Sequence, residues 1–162
     1  MKKLILVLVA LILTFTGCEK EEIAAEDPKI PLEEKYSNEW TIEMTVSDVT
    51  PTGLKGKITH SGDNVNAITG SRFVLEKLVD GEWTEADALC EPAWYLLAYP
   101  IPNNDSYEFD VNWEWLYGTL LSGHYRIVKD VRIEGTRLNE YQGIKRIEHF
   151  IEEKILYAEF DI

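Results

Sequence analysis

The chain has 162 residues, with 16 Lys and Arg against 29 Asp and Glu, for a formal net charge of −13 at pH 7. That balance excludes a nucleic-acid partner, whose binding surfaces are basic, and excludes adhesion to anionic lipid through overall charge. Two cysteines, Cys18 and Cys90, are too far apart in role to suggest a disulfide framework, so the fold must rest on its core.

Residues 1–17, MKKLILVLVALILTFTG, place two lysines before an apolar run from Leu4 to Phe15. A charged start, a short apolar stretch and a small residue before the cut define a secretory signal. The run is shorter than the ~20 apolar residues that span a bilayer. Its ending, Phe15-Thr16-Gly17-Cys18, resembles the lipobox of bacterial lipoproteins. The resemblance implies that Cys18 is acylated, with palmitate among its chains, and becomes the new N-terminus. The partner implied is the lipid bilayer, and the expected location is the cell membrane at its extracytoplasmic face. Each buried CH₂ of an acyl chain contributes about 0.8 kcal/mol, so two or three chains hold firmly. Without Lys2 and Lys3 the mature chain carries 14 basic against 29 acidic residues, or −15. Residues 18–38 follow as lipidated cysteine and tether, dense in charge and broken by Pro28 and Pro31.

Residues 39–162 make one domain's worth of chain, enough to bury a core without staples. From Trp40 the apolar period is two. Trp40, Ile42, Met44 and Val46 alternate with polar residues, which predicts a half-buried strand. Pro51-Thr52-Gly53 turns the chain into Leu54, Gly56 and Ile58, and His60 to Asn64 reads as a polar loop. Phe73 to Val79 predicts a further strand, closed by the hairpin signal Asp80-Gly81 and returning through Trp83. Trp94 to Tyr99 is an apolar run. Tyr107, Phe109, Val111 and Trp113 alternate, as do Tyr125 and Ile127, Val131 and Ile133, and finally Leu156, Ala158, Phe160 and Ile162. Residues 135–152 alternate weakly and read as partly helical or a long loop. About seven or eight short strands without a long helix predict an all-β, antiparallel sandwich or barrel.

The stretch Leu121-Ser122-Gly123-His124-Tyr125 favours the sandwich, because it looks like a tyrosine corner, with glycine two residues before the tyrosine that opens a strand. Ile127 stands where an antibody domain has its second cysteine, which suits a domain without an inter-sheet disulfide. The block from Trp113 to Lys129, with Tyr117-Gly118 and then Gly123-His124-Tyr125-Arg126-Ile127, resembles a bacterial immunoglobulin-like domain common in Firmicutes. Phe73 to Leu78, Asp80-Gly81-Glu82-Trp83 and the ending Ala158 to Ile162 match the same family, over roughly residues 40–162. The resemblance implies an immunoglobulin-like sandwich outside the cell and supplies no catalytic residue.

No constellation points to catalysis. His60, His124 and His149 lack metal-site spacing. Asp105, Glu108 and Asp110 lack the glycine-bearing calcium loop and read as a solvated stripe. There is no G-x-S-x-G, S-x-x-K or phosphate-cradling loop, and no motif that calls for a cofactor. Cys90, between Leu89 and Glu91, reads as a small buried hydrophobe, His124 as solvent-directed, and Arg126 as the partner of an acidic neighbour across the sheet. Aromatics supply the candidate binding surface: Trp94, Tyr95, Tyr99, Trp115 and Tyr117, with Trp113 in the core. Exposed Trp and Tyr anchor proteins or stack on sugars. The reading is therefore a non-catalytic binding module for an envelope protein or cell-wall component. The alternatives are a wall-glycan enzyme or carbohydrate-binding module, and a structural spacer.

Overall fold

The computed structural model describes residues 39–162, so the signal, Cys18 and the tether lie outside the described residues. Nine strands and one four-residue helix make up the described part: β1 (Thr41–Thr50), β2 (Gly53–Ser61), β3 (Val65–Gly70), β4 (Val74–Val79), β5 (Glu82–Glu85), β6 (Ala98–Ile101), β7 (Asp105–Asn112), α1 (Glu114–Tyr117), β8 (His124–Tyr141) and β9 (Ile144–Asp161).

The strands form two antiparallel layers. The smaller sheet has the order β1-β2-β7. The larger is organised around β8, which pairs with β9 along its whole length. The other side of β8 is shared: β4 lies against residues 125–128 and β3 against residues 131–135. β5 extends the sheet beyond β4, and β6 beyond β3.

Alternation translates directly into layering. Leu54 and Ile58 on β2 and Met44 on β1 face Leu75, Ile127, Val131, Ile133, Leu156 and Phe160 across the sandwich, all buried. At one pole Trp113 is fully buried, stacks on Phe160 at 5.6 Å, and donates its indole N–H to the carbonyl of Pro51 at 3.0 Å. Phe160 in turn stacks on Tyr125 at 5.9 Å. The tyrosine corner is formed: the Tyr125 hydroxyl donates to the carbonyl of Leu121 at 2.9 Å. Backbone bonds between Gly123 and Ile162 close the same pole.

The opposite pole receives the chain from its N-terminal side. Thr41 pairs with Ser61, Trp40 packs on Gly62, and Lys154 sits over the Trp40 ring at 5.1 Å.

Several expectations are corrected. Residues 135–152 are neither helix nor loop but the distal part of the β8–β9 hairpin, closed by Gln142 and Gly143 at φ 52° and 76°. Positive φ at both central residues is the geometry of a type I′ turn. Beyond Thr136, whose N–H still reaches the carbonyl of Asn64, this arm pairs only with itself, and residues 139–149 are exposed throughout. A strand with no core beneath it has no reason to alternate, which is why the pattern fades there. His60 is not in a loop. It is the penultimate residue of β2 and fully buried. β3, between two loops, carries no signal that the periodicity reading recognised.

Candidate functional site

The aromatic surface is built by α1 and the loop of residues 86–97. The helix is seated by the β1–β2 turn: Trp113 N–H donates to the carbonyl of Thr52 and Leu120 N–H to that of Pro51. One short turn then sends successive side chains to opposite sides. Leu116 and Tyr117 enter the core, while Trp115 stays 46% exposed. The loop is pinned at its ends, where Ala86 N–H donates to Leu75, Leu89 N–H to Leu116, and the Ser71 hydroxyl to the carbonyl of Tyr95 at 2.7 Å.

Trp94 stands between Phe73 and Trp115, edge-on to each, at 5.0 and 5.5 Å. The buried ring of Phe73 therefore supports a surface pair of tryptophans. Around them Leu89, Tyr95, Leu96 and Leu97 are exposed, Tyr95 at 79% and Leu96 fully. These exposed apolar side chains, carried by one loop and one helical turn, make this the candidate binding surface.

The five aromatics expected on this surface divide into three groups. Trp94, Tyr95 and Trp115 come together. Tyr99 belongs elsewhere: it stacks on Tyr107 at 5.5 Å, which stacks on Phe109, along a cleft of about 180 Å³ that also holds Lys129. Tyr117 is a core residue, 8% exposed, whose hydroxyl oxygen accepts from Leu75 N–H. Its pKa is raised by burial. Leu89, Leu96 and Leu97 were not foreseen. Of the apolar run from Trp94 to Tyr99, strand pairing takes in only the end, beginning at Ala98. Cys90 is exposed rather than buried, with its thiol 3.8 Å from the carbonyl of Trp115, because it rides on this same loop.

A second cluster occupies the outer face of the large sheet. Arg126 is ion-paired with Glu76 and lies between the rings of Trp83 and Tyr157, 4.4 Å from each. His124 does not simply face solvent. Its two ring nitrogens meet Asp161 at 2.8 Å and Glu159 at 3.0 Å, with Trp83 alongside. Two carboxylates on one ring require both nitrogens to donate, so these hydrogen bonds hold the histidine pKa above its ordinary value. Among the described residues no group of three or more His, Cys, Asp and Glu side chains is arranged to hold a metal ion.

Two facing antiparallel sheets, a tyrosine corner and a buried tryptophan define an immunoglobulin-like β-sandwich. The profile of the bacterial Ig-like domain family matches residues 38–160, and the chain belongs to that family. No curated protein matches it. Among solved structures it is similar to AggA, the major subunit of aggregative adherence fimbriae type I from Escherichia coli, at 12% identity and a TM-score of 0.33, covering 75% of this chain and 96% of that one. It is also similar to a protein from Archaeoglobus fulgidus, at 12% identity and a TM-score of 0.20, covering 75% and 95%.

Proposed function

We propose that this chain is a lipid-anchored, extracytoplasmic binding module without catalytic activity, held to the cell membrane by acylated Cys18. Its Trp94–Trp115 surface engages a protein of the cell envelope. The observation that carries the reading is the exposed Trp115, braced edge-on by the half-buried Trp94, with Tyr95, Leu96 and Leu97 exposed on the same loop. Large, stiff aromatic side chains give contact area at small entropic cost, which is why they dominate binding hot spots. The placement supports the reading as well. α1 sits beside the Thr50–Gly53 turn, at the pole away from Trp40, so a tether entering at Trp40 leaves the patch facing outward.

The test is crosslinking in cells, with a photoreactive residue replacing Trp115 and, separately, Tyr95. One dominant protein adduct, obtained from both of these sites and lost from a site on the outer face of β2 such as Lys57, supports the reading. Adducts that are the same from all three positions speak for a spacer, and glycan adducts for a wall ligand. Fractionation of a Cys18→Ser chain tests the anchor by itself: it should leave the membrane fraction.

A further inference from the structure

The β8–β9 arm is the part of the domain that the binding reading does not use. It projects from the pole where the chain enters. Thr136 N–H donates to the carbonyl of Asn64, next to the loop whose Gly62 packs on Trp40. From residue 136 to the turn is six residues of strand, or about 20 Å at ~3.4 Å per residue.

Each face of the tip carries one apolar pair beside one polar pair. Directly opposed residues share a face, so Tyr141 and Ile144 lie on one side and Leu138 and Ile147 on the other. Tyr141, Ile144 and Ile147 are all exposed. A flat protein partner would cover one face and leave the other wet, whereas a lipid interface surrounds both. Lys145 and Arg146 flank the tip, Lys145 across from Glu140 and Arg146 across from Asn139. Between residues 139 and 147 the charge is +1, from Lys145 and Arg146 against Glu140, while the rest of residues 39–162 carries nine basic and 21 acidic residues.

We infer that the arm tip docks on the surface of the phospholipid bilayer, with Tyr141, Ile144 and Ile147 at the level of the headgroups and Lys145 and Arg146 reaching phosphates. The inference rests on the lipid-anchor reading for its geometry. Twenty residues, 19–38, lie between Cys18 and the domain. A segment of that length spans about 25 Å as a flexible coil and at most about 70 Å extended, so the tip can reach the bilayer. Contact at the tip keeps the acidic body about 20 Å away, beyond the ~8 Å screening length at physiological ionic strength. Docking stays shallow, because the open edges of a two-stranded arm need water or headgroups for their backbone groups.

The test uses the full chain with Cys90→Ser and Ile144→Cys, carrying an environment-sensitive fluorophore at 144, in vesicles of phosphatidylglycerol and phosphatidylcholine with spin-labelled lipid. A reference chain carries the fluorophore at Ser122→Cys, at the opposite pole. Intact mass reads the acylation of Cys18. Quenching at 144 but not at 122 is expected. Lys145→Glu with Arg146→Glu should reduce the bound fraction at least tenfold, since each basic residue near an anionic surface contributes roughly fivefold. An acylated chain with no quenching at 144 overturns the proposal and leaves the anchor intact. If Cys18 is not acylated, the anchor reading fails. The chain with Cys18→Ser added, labelled at 144 alone, is then titrated onto the same vesicles, where a saturable blue shift at 144 sustains the proposal and its absence overturns it. A blue shift that grows with protein concentration without vesicles names a second copy as the occupant and also overturns it.

Discussion

The ammonium of Lys129 donates to the carbonyl of Gly70 at 2.8 Å, and to that of Arg72 at 3.0 Å, from inside the sandwich. This contact sits where β8 changes partner, between its last pair with β4 at Val128–Val74 and its first with β3 at Val131–Thr69. The link from β3 to β4 cannot pair there, and Lys129 satisfies two carbonyls that the ladder leaves open. The hydroxyl of Thr69 bonds the carbonyl of Asp130 at the same junction, at 2.9 Å. A buried cation thus holds two end-to-end strands against one long one.

Lys129→Met should destabilise the domain by about 1–3 kcal/mol in urea unfolding, since it leaves two part-buried carbonyls without donors. Burial lowers the pKa of Lys129 to about 8, from 10.5 in an unfolded chain. Between those values the unfolded state binds more protons, so this residue makes stability rise with pH. The contribution should be of order 2 kcal/mol from pH 8 to 9.5, and absent in Lys129→Met. Measurements should stop below pH 10, where tyrosines begin to ionise on unfolding.

His60 acts in the opposite range. It is fully buried in β2, neither ring nitrogen meets a partner at good hydrogen-bonding geometry, and burial lowers its pKa, an effect partly offset by the approach of the Asn103 side chain. An unfolded chain protonates this histidine more readily, so stability should fall as pH drops below 6.5. His60→Phe should remove that acid sensitivity at little or no cost at pH 7.5, read by thermal unfolding across pH 4.5–7.5.

His124 works the other way, because Asp161 and Glu159 raise its pKa. Its contribution is complete below pH 6.5 and lost as pH rises through the folded value. His124→Gln should flatten that part of the profile. Two-dimensional NMR titration of the imidazole would check the direction, and a pKa below 6.5 would contradict the geometry.

Tyr125→Phe should cost about 0.5–1.5 kcal/mol, the worth of one hydrogen bond to Leu121, while leaving the stack on Phe160 in place. Tyr125→Ala should cost about 3–5 kcal/mol, because the ring is core. Equal losses for the two would show that the corner's ring contributes little.

Gly135 marks the base of the arm. A Cβ there would lie 2.5 Å from the carbonyl oxygen of Asn64 and 2.7 Å from Val65. Gly135→Ala should therefore cost about 1–3 kcal/mol and loosen the β3–β8 pairing. Hydrogen exchange should show it first at Ala67 and Ile133, ahead of the β4–β8 pairs.

Much of the sandwich was legible because alternation is a local record of a one-sided environment. The inward faces of β1, β2, β7 and the base of the last hairpin, at 125–133 and 156–162, could be read from residues two apart, and so could the Asp80-Gly81 turn, the tyrosine corner and the core place of Trp113. The pattern vanished where its cause vanished, along the arm at 139–149, which has no core to face. Three matters were decided only by the tertiary structure. Tyr117 turned inward and Trp115 outward because a single helical turn is seated on the Thr52 and Pro51 carbonyls. Trp94 to Leu97 stayed unpaired, with Tyr95, Leu96 and Leu97 exposed, because β3 offers β6 only four partners. Lys129 was buried because β8 must serve two strands at once, and the cost of hiding its charge is offset by carbonyls that only that junction brings within reach.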